Sequence, residues 1–487
     1  MGRIFARSGK RPPLPRWDKN MVDAVSLSTP GRGGTFRFYV NLREGLAGHG
    51  IRLRWLAAGR AAAESFASGA YSEDLNSGEV ILGDSANEEA CARALVNYIA
   101  DHRIRFVLIN AMCGPVETCI ARYLPRDVCR IMMVHTITPS TYRGARTVRD
   151  WVHATVGVSP AISRELASHY GFPQEWTLCI PNGINVGVFL AAQRVPPTPT
   201  LRVLTHGRVD DLSKGTFWIP EIIRRALGSG ANLHLTVSGG GPDLDRLREH
   251  AAHAGLNGAV TFLGWTDPSQ VPALVASHDV LLFPSRFEGH PVAMLEAMAG
   301  GCVPVASRIA GVTDFVVNQG VNGLLFPVGD TKAAASCLVR LAGDRTMLQQ
   351  FSARARESMA EGFSFDRQAA AFASAIQKAM ETPRPLKDPL PLDKWRVPGG
   401  LRPAWWHPLP RSAKNWLRKW QERLRAMSLV GVMALSLSLV TGYAARTSPH
   451  TPGGSRTDRT TSPVFCSYRA GHRDGWGGFV QIGFTSW

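Results

Sequence analysis

The chain has 487 residues, 45% hydrophobic and 19% charged, which excludes a disordered or fibrous protein and suggests about two to three domains. Its formal net charge of +17 calls for an anionic partner: a membrane surface, nucleic acid or an anionic substrate. The eight cysteines include no C-x-x-C pair and sit in apolar stretches such as "TLCIP" and "GGCVP", so at least the first seven read as reduced packing residues of a cytosolic protein.

From the N-terminus, residues 1–21 form a basic segment without an apolar core of signal-peptide length, so no secretion signal is expected. From Val22 onward, short apolar runs alternate with helical stretches such as "ANEEACARALVNYIADH". The predicted strands of the first half are "DAVSLS" (23–28), "RLRWLA" (52–57), "EVIL" (79–82), "RFVLIN" (105–110), "RIMMV" (130–134), "TVGVS" (155–159) and "TLCIP" (177–181). Strands separated by helices imply a parallel sheet covered on both faces. The Pro- and Thr-rich "AQRVPPTPT" (192–200) reads as a linker. The alternation then restarts with "LRVLTHG", "NLHLTVSG", "AVTFLG", "DVLLFPS", "CVPVAS" and "GLLFP". The expected fold class is α/β: two tandem doubly wound, Rossmann-like domains, 22–191 and 201–380, facing a cleft. Ligands of such sheets bind at the carboxyl ends of the strands, and clefts between domains are favoured sites.

The character changes near the C-terminus. Residues 381–426 are a basic extension rich in Trp and Pro, with eleven Lys or Arg against three acids between Pro383 and Ala426. Within it, Trp416, Leu417, Trp420 and Leu424 recur at helical spacing among basic residues. That pattern fits a helix lying on a membrane surface, and equally aromatic residues packing on the folded body. Residues 427–445 are uncharged and 19 long, near the lower limit for a membrane anchor. The expected contact with a membrane therefore runs through 383–445. The Gly-, Ser-, Thr- and Arg-rich tail 446–487 is expected to be disordered. No zinc-finger or RNA-recognition motif accompanies the basic charge, so no nucleic-acid partner is expected.

The chemistry concentrates in "RFEGHPVAMLEAMAGGCVPVAS" (286–307). "DVLLFPS" before it is a buried strand, Pro291 suits the first turn of a helix, and Gly300 and Gly301 end that helix. Glu288 then lies in the loop at the cleft, and Glu296 about one and a half turns into the helix. Free N–H groups near Gly289, His290 and Val292 suit a phosphate or sugar hydroxyls. A carboxylate repels phosphate but accepts two hydroxyl hydrogen bonds from a neutral polyol. In "LTHGRVDDLSKGTFWI", Arg208 and Lys214 stand at a strand's carboxyl end, where two cations can clamp a diphosphate. The Gly-rich turn of "VSGGGPDLDRLREHA" is a weaker signal of phosphate or ribose contact. Its D-x-D, Asp243 and Asp245, sits at a helix start where acids favour the dipole, so no metal site is expected.

The E-x7-E block with "GRVDDLSKG" ahead of it, together with "IPNGIN" (180–185) and "VTFLGW" (260–265), resembles glycosyltransferase family 4 over roughly residues 22–380. The resemblance implies the GT-B fold, an acceptor-side first domain and a donor-side second domain. It also implies retaining, metal-independent hexosyl transfer from a UDP- or GDP-linked sugar to a hydroxyl acceptor, with no permanently bound cofactor. By the same resemblance Glu296 holds the ribose hydroxyls and Glu288 lies by the donor sugar. Gly289, His290, Pro291 and Val292 meet sugar and phosphate through the backbone, and Arg208 and Lys214 neutralise the diphosphate. Gly33 and Gly34 close over the phosphates from the first domain, and His135 in "MVHTITPS" lies near donor and acceptor. The implied catalytic set is Glu288, His135, Arg208 and Lys214. The basic C-terminus adds the expectation of a lipid-linked glycan acceptor and of a cytoplasmic protein, peripheral on or anchored to the inner face of the membrane. Two rivals stay open on the same architecture: a nucleotide-sugar epimerase or hydrolase, and a binding protein that has lost catalysis.

Overall fold

The computed structural model describes residues 22–28, 34–59, 76–81, 87–111, 114–402, 410 and 413. One compact unit, Met1–Pro408, holds all the architecture that follows; of Leu409–Trp487 only residues 410 and 413 are described. The amphipathic stretch 413–426, the apolar segment 427–445 and the tail 446–487 thus lie outside the described residues, Ala413 apart, as do residues 1–21 and Gly33.

Seven strands form the first sheet: β1 (Val22–Leu27), β2 (Ile51–Ala57), β3 (Gly78–Val80), β4 (Phe106–Asn110), β5 (Cys129–Val134), β6 (Ala154–Gly157) and β7 (Thr177–Cys179). Every pairing is parallel, in the order β3-β2-β1-β4-β5-β6-β7. Six strands form the second: β8 (Leu201–His206), β9 (Leu233–Ser238), β10 (Val260–Gly264), β11 (Val280–Phe283), β12 (Val303–Ser307) and β13 (Leu324–Phe326). They too are all parallel, in the order β10-β9-β8-β11-β12-β13. Each predicted strand is present. The continuous apolar runs of β4, β5, β11 and β12 are buried throughout, because helices cover both faces of these central strands. Both sheets reverse direction of winding beside their first strand, between β1 and β4 and between β8 and β11. A crevice opens at such a reversal, which is where open α/β sheets bind ligands.

The chain crosses between the two bodies at places the sequence does not mark. Ile180 packs in the first core, whereas Ile184, Val186 and Phe189 pack in the second. The crossing is therefore "IPNGIN", not the Pro-rich 192–200, which lies on the surface of the second body and is tied there by Arg194 to the carbonyls of Gly300 (2.7 Å) and His278 (3.2 Å). The return crossing runs beside it: Ile184 N–H donates to Phe363 O and Phe365 N–H to Ile184 O, each at 2.9 Å. The helix Phe365–Glu381 then buries Ala369, Phe372, Ala375, Ile376 and Ala379 in the first core, so the range 201–380 does not pack as one body.

Residues 383–402 also return to the first body. Lys387 N–H donates to Asp150 O (3.0 Å), Leu390 N–H to Arg122 O (2.7 Å) and Trp151 Nε1–H to Asp388 O (3.0 Å). Trp395 packs on Tyr123 with ring centroids 4.6 Å apart, and Val397 and Leu401 bury against Cys119 and Tyr123. Backbone bonds and aromatic contacts thus bind residues 383–402 to the first body. Trp416, Leu417, Trp420 and Leu424, which carry the membrane-surface and packing readings, lie outside the described residues. Among the described residues no helix is long and apolar enough to cross a membrane.

Candidate functional site

Arg208 follows β8 and the Glu288 loop follows β11, so the two flank the reversal point of the second sheet. Lys214 ends the short helix Asp211–Lys214, capped by Asp210 and terminated by Gly215 at φ 61°. Its ammonium lies 2.5 Å from Glu288 Oε1, and Ser285 Oγ donates to the same oxygen at 2.6 Å. Arg208 is not held in this way. Its side chain is 67% exposed, with Asp210 Oδ2 4.0 Å away. A cavity beneath these cations is lined by Thr205, His206, Thr216, Phe283 and Ser285.

The helix Val292–Ala299 starts at Pro291 without a side-chain cap. Val292 N–H is spent on His290 O at 3.1 Å, a correction to its expected availability. Among the described residues the N–H groups of Gly289 and His290 have no hydrogen-bond partner. Glu296 is partly accessible in a largely apolar setting. Burial pushes its carboxyl up to about 7, opposed by the charge of Arg37 on the helix Gly34–Ala47 of the first body. His290 is buried between Phe315 and Phe363, with neither ring nitrogen partnered, and burial pushes it down to about 3.

The first body supplies the opposite wall. His135 directly follows β5. Asn110 Nδ2 donates to Ser26 Oγ (3.2 Å) and Leu27 O (3.3 Å), leaving its Oδ1 to accept from His135 Nε2–H at 2.9 Å. That fixes the proton on Nε2, and burial pushes His135 down to about 4, so the ring is neutral at pH 7. Phe38 packs edge-on against it at 4.9 Å. The two walls touch: a Cβ on Gly289 would lie 1.7 Å from His135 O. Only glycine permits this approach, and it brings the Glu288 loop against the end of β5.

The structure thus brings Glu288, Lys214, Gly289, His290, Pro291, Val292 and His135 together, with Arg208 at the rim and Glu296 on the helix behind. Gly34 is the first residue of the helix Gly34–Ala47. The D-x-D separates: Asp243 is buried and Asp243 Oδ2 accepts from Asp211 N–H at 2.9 Å, while Asp245 is 89% exposed and paired with Arg248. The Gly-rich turn has a packing reason, since a Cβ on Gly239 would lie 1.8 Å from Gly207 O.

The Glycosyltransferase Family 4 profile matches residues 32–188, and the profile described as Glycosyl transferases group 1 matches residues 200–344. The chain belongs to glycosyltransferase family 4. It is 25% identical over 260 residues to a glycogen synthase of Mycobacterium tuberculosis, covering 53% of this chain and 62% of that one. It is 31% identical over 183 residues to a phosphatidyl-myo-inositol mannosyltransferase of Mycobacterium leprae, covering 37% and 48%. The alignments thus span between about half and two thirds of these relatives. HepE of Anabaena, solved in complex with UDP and glucose, shares the fold at TM-score 0.60 and 18% identity, over 73% of this chain and 99% of that one.

Within this GT-B fold, sequence reasoning missed Asn110, which sets the His135 tautomer, and Arg37, whose charge acts on Glu296. It also missed Asp211 and Arg286, which join the two cation-bearing and acid-bearing loops. Arg286 sat in plain view two residues before Glu288, and a basic residue beside a site acid is a usable signal.

Proposed function

We propose that this protein transfers a hexose from a nucleotide diphosphate sugar, UDP- or GDP-linked, to a hydroxyl acceptor, with retention at the anomeric carbon and without a metal. The observation that carries the reading is the pairing of Lys214 with Glu288 at the reversal point of the second sheet, under Arg208 and beside the open helix start. Cleaving a sugar–diphosphate bond leaves negative charge on the diphosphate. Arg208, Lys214 and the N–H groups of Gly289 and His290 are preorganised to stabilise it. Glu296, when ionised, accepts two ribose hydroxyls, and Glu288 Oε2 is the oxygen left for the donor sugar once Oε1 is held by Lys214 and Ser285. Neutral His135 orients the sugar from the first body rather than adding charge. Relatives named for glycan and glycolipid synthesis support an acceptor of that kind, a lipid-linked glycan included.

Thermal unfolding with UDP, GDP and ADP, each without metal, tests the reading. A nucleotide at about 100 times its dissociation constant should stabilise by about 2.7 kcal/mol. One of the three should raise the midpoint, and Glu296→Ala should abolish the rise. No response to any of them would sink the donor reading.

A further inference from the structure

Lys214 and Glu288 sit on loops from different strands, and a flexible lysine does not hold a 2.5 Å contact unless both loops are fixed. Behind them lies a buried charge cluster that bonds to these loops and to the Gly-rich turn. Arg286 Nε donates to Asp211 O at 2.9 Å, and its terminal nitrogen lies 3.3 Å from both Asp211 carboxylate oxygens. Arg286 N–H donates to Ser213 O at 2.8 Å. The guanidinium is stacked 3.7 Å above Trp218, and the side chains of Arg286 and Asp211 are only 10% and 2% exposed. Asp211 Oδ1 accepts from Phe217 N–H at 3.1 Å, and Asp243 closes the cluster from the Gly-rich turn through Asp211 N–H.

We propose that Asp211, Arg286 and Asp243 are positioning residues that set Lys214 against Glu288, and through Lys214 set the protein's preference for a diphosphate. A buried ion pair is a poor source of net stability, because desolvation offsets its attraction, but it fixes one geometry where an apolar contact would allow several. Asp210 adds to the register by accepting Leu212 N–H at 3.2 Å on its side chain and Lys214 N–H at 2.8 Å on its carbonyl. The inference rests on the reading of Lys214 as a diphosphate ligand.

The test compares UDP with UMP, and GDP with GMP, by calorimetry. Removing one charge alone leaves the other buried and unpaired and invites unfolding, so the main variant is the double Asp211→Asn/Arg286→Met, with Asp243→Asn as the second. The diphosphate-over-monophosphate preference should fall by about tenfold in the double variant, the loss of roughly one charge-assisted contact. It should fall to the level of Lys214→Met, and adding Lys214→Met should cost nothing more. A merely structural role would weaken both nucleotides alike. An unchanged preference in the folded double variant, or losses that multiply on adding Lys214→Met, overturns the proposal. If the wild type binds none of these nucleotides, the donor reading falls, and a ligand-free crystal structure of the double variant decides the positioning by itself. A displaced Lys214 ammonium supports it, and an ammonium still on Glu288 Oε1 overturns it.

Discussion

Glu296 carries its carboxyl at about 7 because apolar burial disfavours the charge more than Arg37 favours it. The proposed ribose contact uses the ionised form, so on that proposal the protein works near the midpoint of this group. A carboxyl raised in the fold contributes stability that is present below the ordinary carboxyl range and lost as pH rises through about 7. Glu296→Gln should therefore match the wild type near pH 4, below the ordinary carboxyl value, and exceed it in melting temperature by about pH 8. Nucleotide affinity of the wild type should run the other way, weakening as pH falls below 7. A melting difference that stays flat across this range would mean that Glu296 titrates normally.

At the scale of elements, the decisive contact is between a loop and a strand end. Gly289 lies against His135 O so closely that even a methyl group has no room. The obstacle is backbone, which cannot rotate aside as a side chain can. Gly289→Ala should hold the two bodies apart, leaving the Lys214–Glu288 pair and the fold of each sheet intact. Small-angle scattering should report a larger radius of gyration, and sugar transfer should fall by at least about tenfold, since a misplacement of about 1 Å can cost 100-fold. An unchanged radius with full activity would show that the approach is dispensable.

At the scale of the molecule, the chain passes from the first body to the second at residues 180–185 and returns at Phe363–Phe365, with the two crossings bonded to each other. Asn41 Nδ2 of the helix Gly34–Ala47 donates to Gly183 O at 2.9 Å, so the first body also grips the crossing. Residues 383–402 extend that return across the first body, where Trp395 on Tyr123 is the largest apolar anchor. Trp395→Ala should cost about 2 kcal/mol in urea unfolding, the value of a large side chain that is mostly buried. Nucleotide affinity should not change, because Arg208, Lys214 and Glu296, the proposed nucleotide ligands, lie on the second body. A loss of affinity instead would tie this segment to the cleft.

Thirteen strands, the tandem α/β order and the placement of Glu288, Arg208, Lys214 and Glu296 were legible in the sequence. Each is a local pattern: an apolar run of strand length, a loop at its carboxyl end, a proline at a helix start. Asn110 beneath His135, Asp211 against Arg286, and the split of Asp243 from Asp245 were not. Arg286 and Asp211 are brought together only because β8 lies beside β11, and no spacing along the chain encodes which strands are neighbours. The same holds for the crossing at "IPNGIN" and the return of Phe365–Glu381, where burial against a distant core outweighs the proline-rich segment that looks like a boundary. The sequence by itself determined the elements and which side chains stand in the loops at the carboxyl ends of their strands; the tertiary structure decided which of those side chains hold one another in place, because that depends on contacts between residues far apart in the chain.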